Sequence, residues 1–147
     1  MKKIIFSLLF SLGFIFGSAQ TNTPKPIVIV QNVVMGTLTL NSLDPNKIES
    51  MQVFKTPSSE TATFDDLVKN GLINVKLKEK MSIESLTISE AKKRFELPAN
   101  ALVFLNNMQV HNETILIAED LLKTTRIIYP DKKVNNFTAP VLSIKAD

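Results

Sequence analysis

Four consecutive apolar residues, Ile27-Val-Ile-Val30, follow a polar stretch that begins at residue 20. So short an unbroken apolar run is typical of a β-strand that is covered on both faces. Residues 72–78, Leu-Ile-Asn-Val-Lys-Leu-Lys, alternate instead and place Ile73, Val75 and Leu77 on one face. The pattern therefore predicts one strand buried on both faces and a second strand that covers a core on one side only.

Two further stretches carry the start signals of helices. Asp44-Pro45 joins a capping carboxylate to a ring whose missing N–H costs nothing at the first helical position, and residues 51–54 then favour an extended chain. Thr87 and Glu90 have the spacing of a capping box. We predict a short helical turn that runs straight into a strand, which we interpret as a structural signature and not as a site, and a helix over 87–96.

The second half of the chain resembles the first after a shift of 74 residues. Val28-Ile-Val30 then falls on Leu102-Val-Phe104, and Ile48 falls on Leu122, so that both are expected to be buried equivalents. Both halves give the order strand, turn, capped helical stretch, strand, loop and strand, as in a duplicated unit. We predict an α+β fold of two pseudo-repeated β-turn-α-β-β units with short helices that share one mixed or antiparallel sheet: residues 27–78 and 101–146, joined by a helical connector over 79–100.

The first half also resembles a known family. Pro26–Val34, Leu40–Lys55 with its Leu-Asp-Pro and Ile-Glu-Ser runs, Thr56–Phe64 and Asn70–Leu77 follow one another as in the plug domain of TonB-dependent outer-membrane receptors of the Bacteroidetes type. The resemblance covers about half of the chain that remains after the N-terminal 19 residues. It implies a plug-like fold.

The chain departs from the plug pattern at several points. Gln31-Asn32 stands where plugs carry Asp-Gly, Phe64-Asp65 where they carry Tyr-Gly, and Val68-Lys69 where they carry Gly-Ala. Without these glycines the tight loops of a plug are less expected. The residues after 78 are also too few for a receptor barrel, which needs many further strands of about ten residues each. The resemblance therefore implies a stand-alone plug-like domain, and it does not imply transport.

The N-terminal residues predict export. Two lysines, an apolar run from Ile4 to Phe16, and small residues at Gly17 and Ala19 are typical of a secretory signal peptide, and the run is short for a membrane anchor, which is the alternative. The expected organisation is a signal peptide (1–19), a flexible leader (20–26) and one plug-like domain (27–147), located in the periplasm or secreted from a Gram-negative cell.

Composition excludes several classes of partner. The signal peptide holds two of the 17 basic residues and none of the 14 acidic ones, so the net charge falls from +3 to about +1 after cleavage. This balance argues against nucleic acid as a partner and, once the signal is removed, against stable membrane insertion. The chain has no cysteine, so its core must hold the fold without disulfides.

Residues that carry chemistry are few. His111 is the only histidine, and with Glu113 it supplies at most half of a metal site, so we interpret it as a turn histidine. The pairs Asp65-Asp66 and Glu119-Asp120 lie where helix starts are expected, which favours an interaction with the helix dipole over acid–base chemistry. Lys92-Lys-Arg94 is interpreted as the solvated face of a helix. We predict no catalytic, cofactor-binding or metal-binding residue and no cofactor.

Two functional hypotheses follow. The first is a non-catalytic interaction module that binds another, unknown envelope protein through sheet edges or loops. The second is a secreted small-ligand binding protein or an enzyme based on carboxylates, in which Asp44 or Glu49 would face Glu119 or Asp120 across a cleft. A deep pocket lined by polar groups would favour the second hypothesis, and an exposed apolar edge would favour the first. The first is preferred, and the protein is not expected to be an enzyme.

We expect the exported protein to begin at Gln20, because the small residues at positions 17 and 19 fit the signal-peptidase site. N-terminal sequencing of the protein purified from its native cell tests this. An intact Met1 would contradict it.

Overall fold

The computed structural model describes residues 25–146, so the predicted signal peptide and residues 20–24 of the predicted leader lie outside it. Ten strands occur in this part of the chain: β1 (Ile27–Val30), β2 (Val33–Val34), β3 (Ile48–Phe54), β4 (Leu72–Leu77), β5 (Ser85–Thr87), β6 (Leu102–Leu105), β7 (Met108–Val110), β8 (Leu116–Ala118), β9 (Arg126–Ile128) and β10 (Val141–Ile144). The helices are α1 (Thr37–Asn41), α2 (Asp65–Val68), α3 (Ile88–Arg94) and three 3-10 helices, Pro45–Lys47, Ala62–Phe64 and Glu119–Thr124. The predicted α+β class is confirmed.

The strands form two mixed sheets. The larger sheet has the order β3-β4-β1-β2-β8-β5, and the smaller has the order β7-β6-β10-β9. The prediction of one shared sheet is wrong, because β6, β7, β9 and β10 form a separate sheet. From the second half, only β8 joins the larger sheet, where it pairs with β2. The connector over 79–100 is also not purely helical, since it contributes β5 to the edge of the larger sheet.

Tight turns form at the tips of both hairpins although glycines are missing there. Gln31 and Asn32 have φ of 51° and 63°, and Asn106 and Asn107 have φ of 47° and 66°. Two successive residues of positive φ match the twist of a hairpin, and asparagine tolerates this conformation better than most residues. Gln31 is less suited to it, but its side chain is held by two hydrogen bonds to the backbone of Met81, of 2.7 and 2.8 Å.

Strand β1 separates two hydrophobic cores. Ile27 and Ile29 belong to the main core, which lies between the two sheets and includes Val103 from the smaller sheet. Val30 belongs to a smaller core on the other face of the larger sheet, together with Met35. The prediction that this strand is covered on both faces is confirmed.

Strand β4 departs from its prediction at one end. Val75, with Ile73 and Leu77 beside it, contacts the smaller core, in agreement with the alternating pattern. Leu72, however, lies opposite Ile27 in the parallel ladder and is fully buried in the main core. The strand therefore contributes to both cores, because successive side chains alternate between its faces and Leu72 points to the same face as Ile27.

The capping box of α3 is confirmed. The Thr87 hydroxyl accepts a hydrogen bond from the Glu90 N–H, and the Glu90 carboxylate accepts one from the Thr87 N–H. Lys92, by contrast, is buried, so its assignment to a solvated face is wrong. It lies four residues after Ile88 and therefore on the core-facing side of the helix. Its ammonium group donates hydrogen bonds to the Ala99 carbonyl, at 2.6 Å, and to the Glu113 carboxylate.

The four strands of the smaller sheet have the same connectivity as β1 to β4 of the larger sheet, but a shift of 74 residues describes this correspondence only in part. In the larger sheet, the ladders pair Ile27 with Leu72 and Val53 with Ile73. In the smaller sheet, they pair Leu102 with Val141 and Ile127 with Leu142. By these ladders Leu102 corresponds to Ile27, a shift of 75. Ile29 and Val103, which differ by 74, nevertheless both face the main core. The sheets therefore turn opposite faces to that core, because a slip of one residue exchanges the faces of a strand.

This arrangement changes the expected equivalence of Ile48 and Leu122. Both side chains are half-buried. Ile48 packs against the smaller core, whereas Leu122 packs against the main core. They are therefore not buried equivalents.

We expect Leu72→Ala to lower the free energy of unfolding by about 2–5 kcal/mol, because the side chain is fully buried in the main core. Ile73→Ala is the matched control on the same strand. Its loss should be clearly smaller, since that side chain is half-buried and already partly in water. Denaturant unfolding measures both values, and equal losses would contradict this assignment of the two residues.

Candidate functional site

Strand β3 is the longest edge strand of the described fold. The other edge strands, β5, β7 and β9, have three residues each, whereas β3 has seven. Within residues 25–146 no strand pairs with the outer side of β3. A long free edge presents a row of main-chain N–H and C=O groups to which another strand can bind. This edge is therefore a candidate interaction surface.

The outward side chains of β3 add apolar area to this edge. Met51 and Val53 are 60% and 62% exposed, and they lie opposite Val75 and Ile73 on the face of the smaller core. Val75 is buried in the smaller core, whereas the β3 end of this face is open to water. Large apolar side chains that stay exposed next to each other on a sheet edge are typical of a binding surface.

Opposite charges flank the two apolar side chains. Glu49 precedes them near the start of β3, where the register shifts between Ile48 and Ser50, and Lys55 follows the last residue of β3. Both charged residues are exposed, and neither forms an ion pair with another described residue. We call the set Glu49, Met51, Val53 and Lys55 the β3 face.

The local sequence explains why β3 is well formed without a second neighbour. The Asp44 carboxylate accepts a hydrogen bond of 2.9 Å from the Asn46 N–H, and Pro45 begins the 3-10 helix, so the predicted cap is confirmed in a tighter helix. The Lys78 N–H then donates to the Lys47 carbonyl at 2.9 Å, which ties the start of β3 to the end of β4. The register shifts once, between Ile48 and Ser50.

His111 and Glu113 do not come together as a metal site. The exposed His111 ring lies 3.2 Å from the Asp66 carboxylate, whereas Glu113 pairs with buried Lys92. Asp66 and Glu113 therefore each form a contact that joins different segments of the chain. Among the described residues no group of three or more His, Cys, Asp or Glu side chains is arranged to hold a metal ion.

Asp66 is the most strongly tied carboxylate of the first pair. It accepts hydrogen bonds from the N–H groups of His111 and Asn112, at 2.7 and 3.1 Å. Burial by itself would raise the pKa of Asp66, but these backbone donors and the His111 ring outweigh it and hold the pKa below its usual value. Asp65, its exposed neighbour, lies in the first turn of α2, as predicted.

The carboxylates proposed for acid–base chemistry are spread over three shallow clefts. Glu119 and Asp120 line one cleft of about 200 Å³, Asp44 lines another of about 130 Å³, and Glu49 a third of about 280 Å³. Glu119 forms an ion pair with Arg94. Asp120 accepts hydrogen bonds from the N–H and hydroxyl of Thr39. Pockets for small molecules usually hold about 300–1,000 Å³, so these clefts are small for ligands.

Comparison with protein-family models, with curated proteins and with solved structures gives no match for this chain. No helix within residues 25–146 is long and apolar enough to cross a bilayer.

We expect Asp66→Asn to lower the free energy of unfolding by about 1 kcal/mol at neutral pH, because an amide accepts the two backbone hydrogen bonds less strongly than a carboxylate. The folded pKa of Asp66 is depressed, so its contribution is present above the ordinary aspartate pKa and is lost as pH falls through the folded value. The difference between wild type and variant should therefore shrink in acid, as measured by unfolding over a pH series.

The control for this experiment is Asp65→Asn, which makes the same substitution in the same helical turn at an exposed position, whereas the hydrogen bonds to the His111 loop belong to Asp66. Its difference from wild type should be smaller at neutral pH. A loss for Asp66→Asn that stays constant down to strongly acidic pH would contradict the role of the ionised carboxylate.

Proposed function

We propose that this chain is a non-catalytic, extracytoplasmic protein-interaction module, built like the plug domain of a TonB-dependent receptor and acting through the free edge of β3. The observation that carries the proposal is the seven-residue edge on which Met51 and Val53 are exposed and with whose outer side no strand of residues 25–146 pairs. Binding by strand addition uses such an edge, because main-chain hydrogen bonds provide affinity and alternate side chains provide specificity.

The clefts give less support to a small-ligand binding protein or an enzyme. Glu119 and Asp120 are tied to Arg94 and Thr39, and Asp44 caps its own 3-10 helix. A general acid or nucleophile needs a carboxylate that faces a substrate across a cleft. These contacts instead hold the acidic groups to their own fold, which favours an interaction module.

The plug-like part of the proposal is supported by the sequence resemblance over residues 26–77 and by the strand connectivity. Each half supplies a hairpin, then a strand that lies beside a last strand, and the last strand runs parallel to the first: β1 with β4, and β6 with β10. A duplicated unit accounts for this recurrence. The extracytoplasmic location is inferred from the signal-like residues 1–19.

A photo-crosslinking amino acid at Gln52, an exposed position in the middle of β3, tests the proposal. We expect covalent protein adducts in the native cell envelope, because the probe lies on the edge that binds the partner. The same probe at Val134, which is 79% exposed and lies after β9, is the matched control and should give few adducts.

Specificity is checked by adding Val53→Lys to the chain that carries the Gln52 probe. The side chain is largely exposed, so the fold should persist, but a charge replaces apolar contact at the edge. The adducts should disappear. Equal yields from Gln52 and Val134, or adducts that survive Val53→Lys, would show that β3 is not the binding surface.

A further inference from the structure

Strand β3 is complementary to itself when it is read in the opposite direction. From Glu49 to Lys55, the β3 face carries an acid, two apolar side chains and a base, with Gln52 at the midpoint. We propose that the partner of this edge is a second copy of the same chain, joined by antiparallel β3–β3 pairing about a twofold axis at Gln52. This inference rests on the proposed function, since it names the partner of the same surface.

The twofold axis fixes which residues meet. An axis through Gln52 and perpendicular to the sheet places Met51 opposite the partner's Val53. It also brings Glu49, at the register shift, to the end of the ladder where the partner's Lys55 follows β3. Each contact then occurs twice, as in any interface formed by the same patch on both subunits. Opposite charges and apolar pairs directly across an antiparallel ladder both stabilise it. The order acid, apolar, apolar, base along the β3 face therefore meets its own complement about this axis.

Neighbouring registers are worse. Residues directly opposite each other in an antiparallel ladder point to the same face of the sheet. The axis must therefore pass through a residue, and moving it to the next residue changes the partner of every residue by two positions. With the axis at Met51, Glu49 would lie at the partner's Val53. With the axis at Val53, Met51 would face the partner's Lys55. Both alternatives bring a charge against an apolar group.

Two of the other edge strands are poorly suited to pairing. β9 is followed after one residue by Pro130, and β5 runs directly into the capping box of α3, so neither can extend a ladder far. β3 contains no proline, and its register shift lies at one end, beside Glu49. Pairing through β3 would join two six-stranded sheets into one continuous sheet and bring Met51 and Val53 of both copies together beside Ile73.

Charge reversal tests the pairing. Glu49→Lys and Lys55→Glu should each weaken self-association of the purified protein by roughly tenfold or more, because two attractive pairs become repulsive. An equimolar mixture of the two variants should associate as wild type does, since every pair is again of opposite charge. Sedimentation velocity over a range of protein concentrations measures all four samples. Lys132→Glu, in an exposed loop, is the control and should leave association unchanged.

A single cysteine tests the register. The chain has none, so Gln52→Cys introduces the only thiol, and the axis places it opposite its own copy. We expect Gln52→Cys to form a disulfide-linked dimer under mild oxidation far more completely than Met51→Cys or Val53→Cys. Preferential cross-linking of Cys at 51 or 53 would overturn the register, as would equal yields at all three positions.

The outcomes separate this inference from the proposed function. A protein that stays monomeric at every concentration, or singly reversed variants whose mixture does not associate, would overturn self-pairing. If the Gln52 photo-probe still captures a different envelope protein through the same edge, the interaction module stands with another partner. If the probe captures nothing, both proposals fail. Circular dichroism of each variant should match wild type, because the four side chains of the β3 face are exposed.

Discussion

The burial of β1 on both faces is the constraint on which the rest of the structure depends. Ile27 and Ile29 supply the main core, and Val30 supplies the smaller one, so the strand must lie inside a sheet with layers on both sides. Its neighbours follow from this position. β2 returns antiparallel through a two-residue turn, and β4 must run parallel, which requires the long connection that carries β3 and α2. That connection leaves β3 outside β4, at the end of the sheet.

The same constraint accounts for the uneven cover of the larger sheet. The smaller core is closed by the segment that follows β2 and by Ile48, and it reaches Val75 but stops short of Met51 and Val53. An edge strand that is long, uncovered and partly apolar is a liability in a monomer, because it can pair with any available strand. Glu49 and Lys55 place opposite charges at its two ends, and like charges directly across a ladder would destabilise pairing. The candidate surface is thus a consequence of the fold and of four side chains.

Polar contacts between distant segments hold the two sheets in place. Asp66 of α2 accepts hydrogen bonds from the backbone of the His111 loop, and Asp120 accepts hydrogen bonds from Thr39 in α1. Lys92 is buried, and its ion pair with Glu113 and hydrogen bond to Ala99 satisfy an ammonium group that would otherwise be costly to bury. Acidic residues that could suggest an active site in the sequence, such as Asp66 and Asp120, therefore form contacts that connect different elements of the fold.

Local patterns of the sequence determined the strand at 27–30, the cap at Asp44, the capping box of α3 and the helix start at Asp65, because each depends on residues a few positions apart. The sequence also contained a signal for the burial of Lys92, since its position falls on the same face of the helix as Ile88 and Ala91. Only the tertiary structure decided that there are two sheets, that these turn opposite faces to the main core, and that β3 has no second neighbour in the described fold. Strand order and sheet packing join residues far apart in the chain, and a hydrophobic pattern records that a residue is covered but not which element covers it.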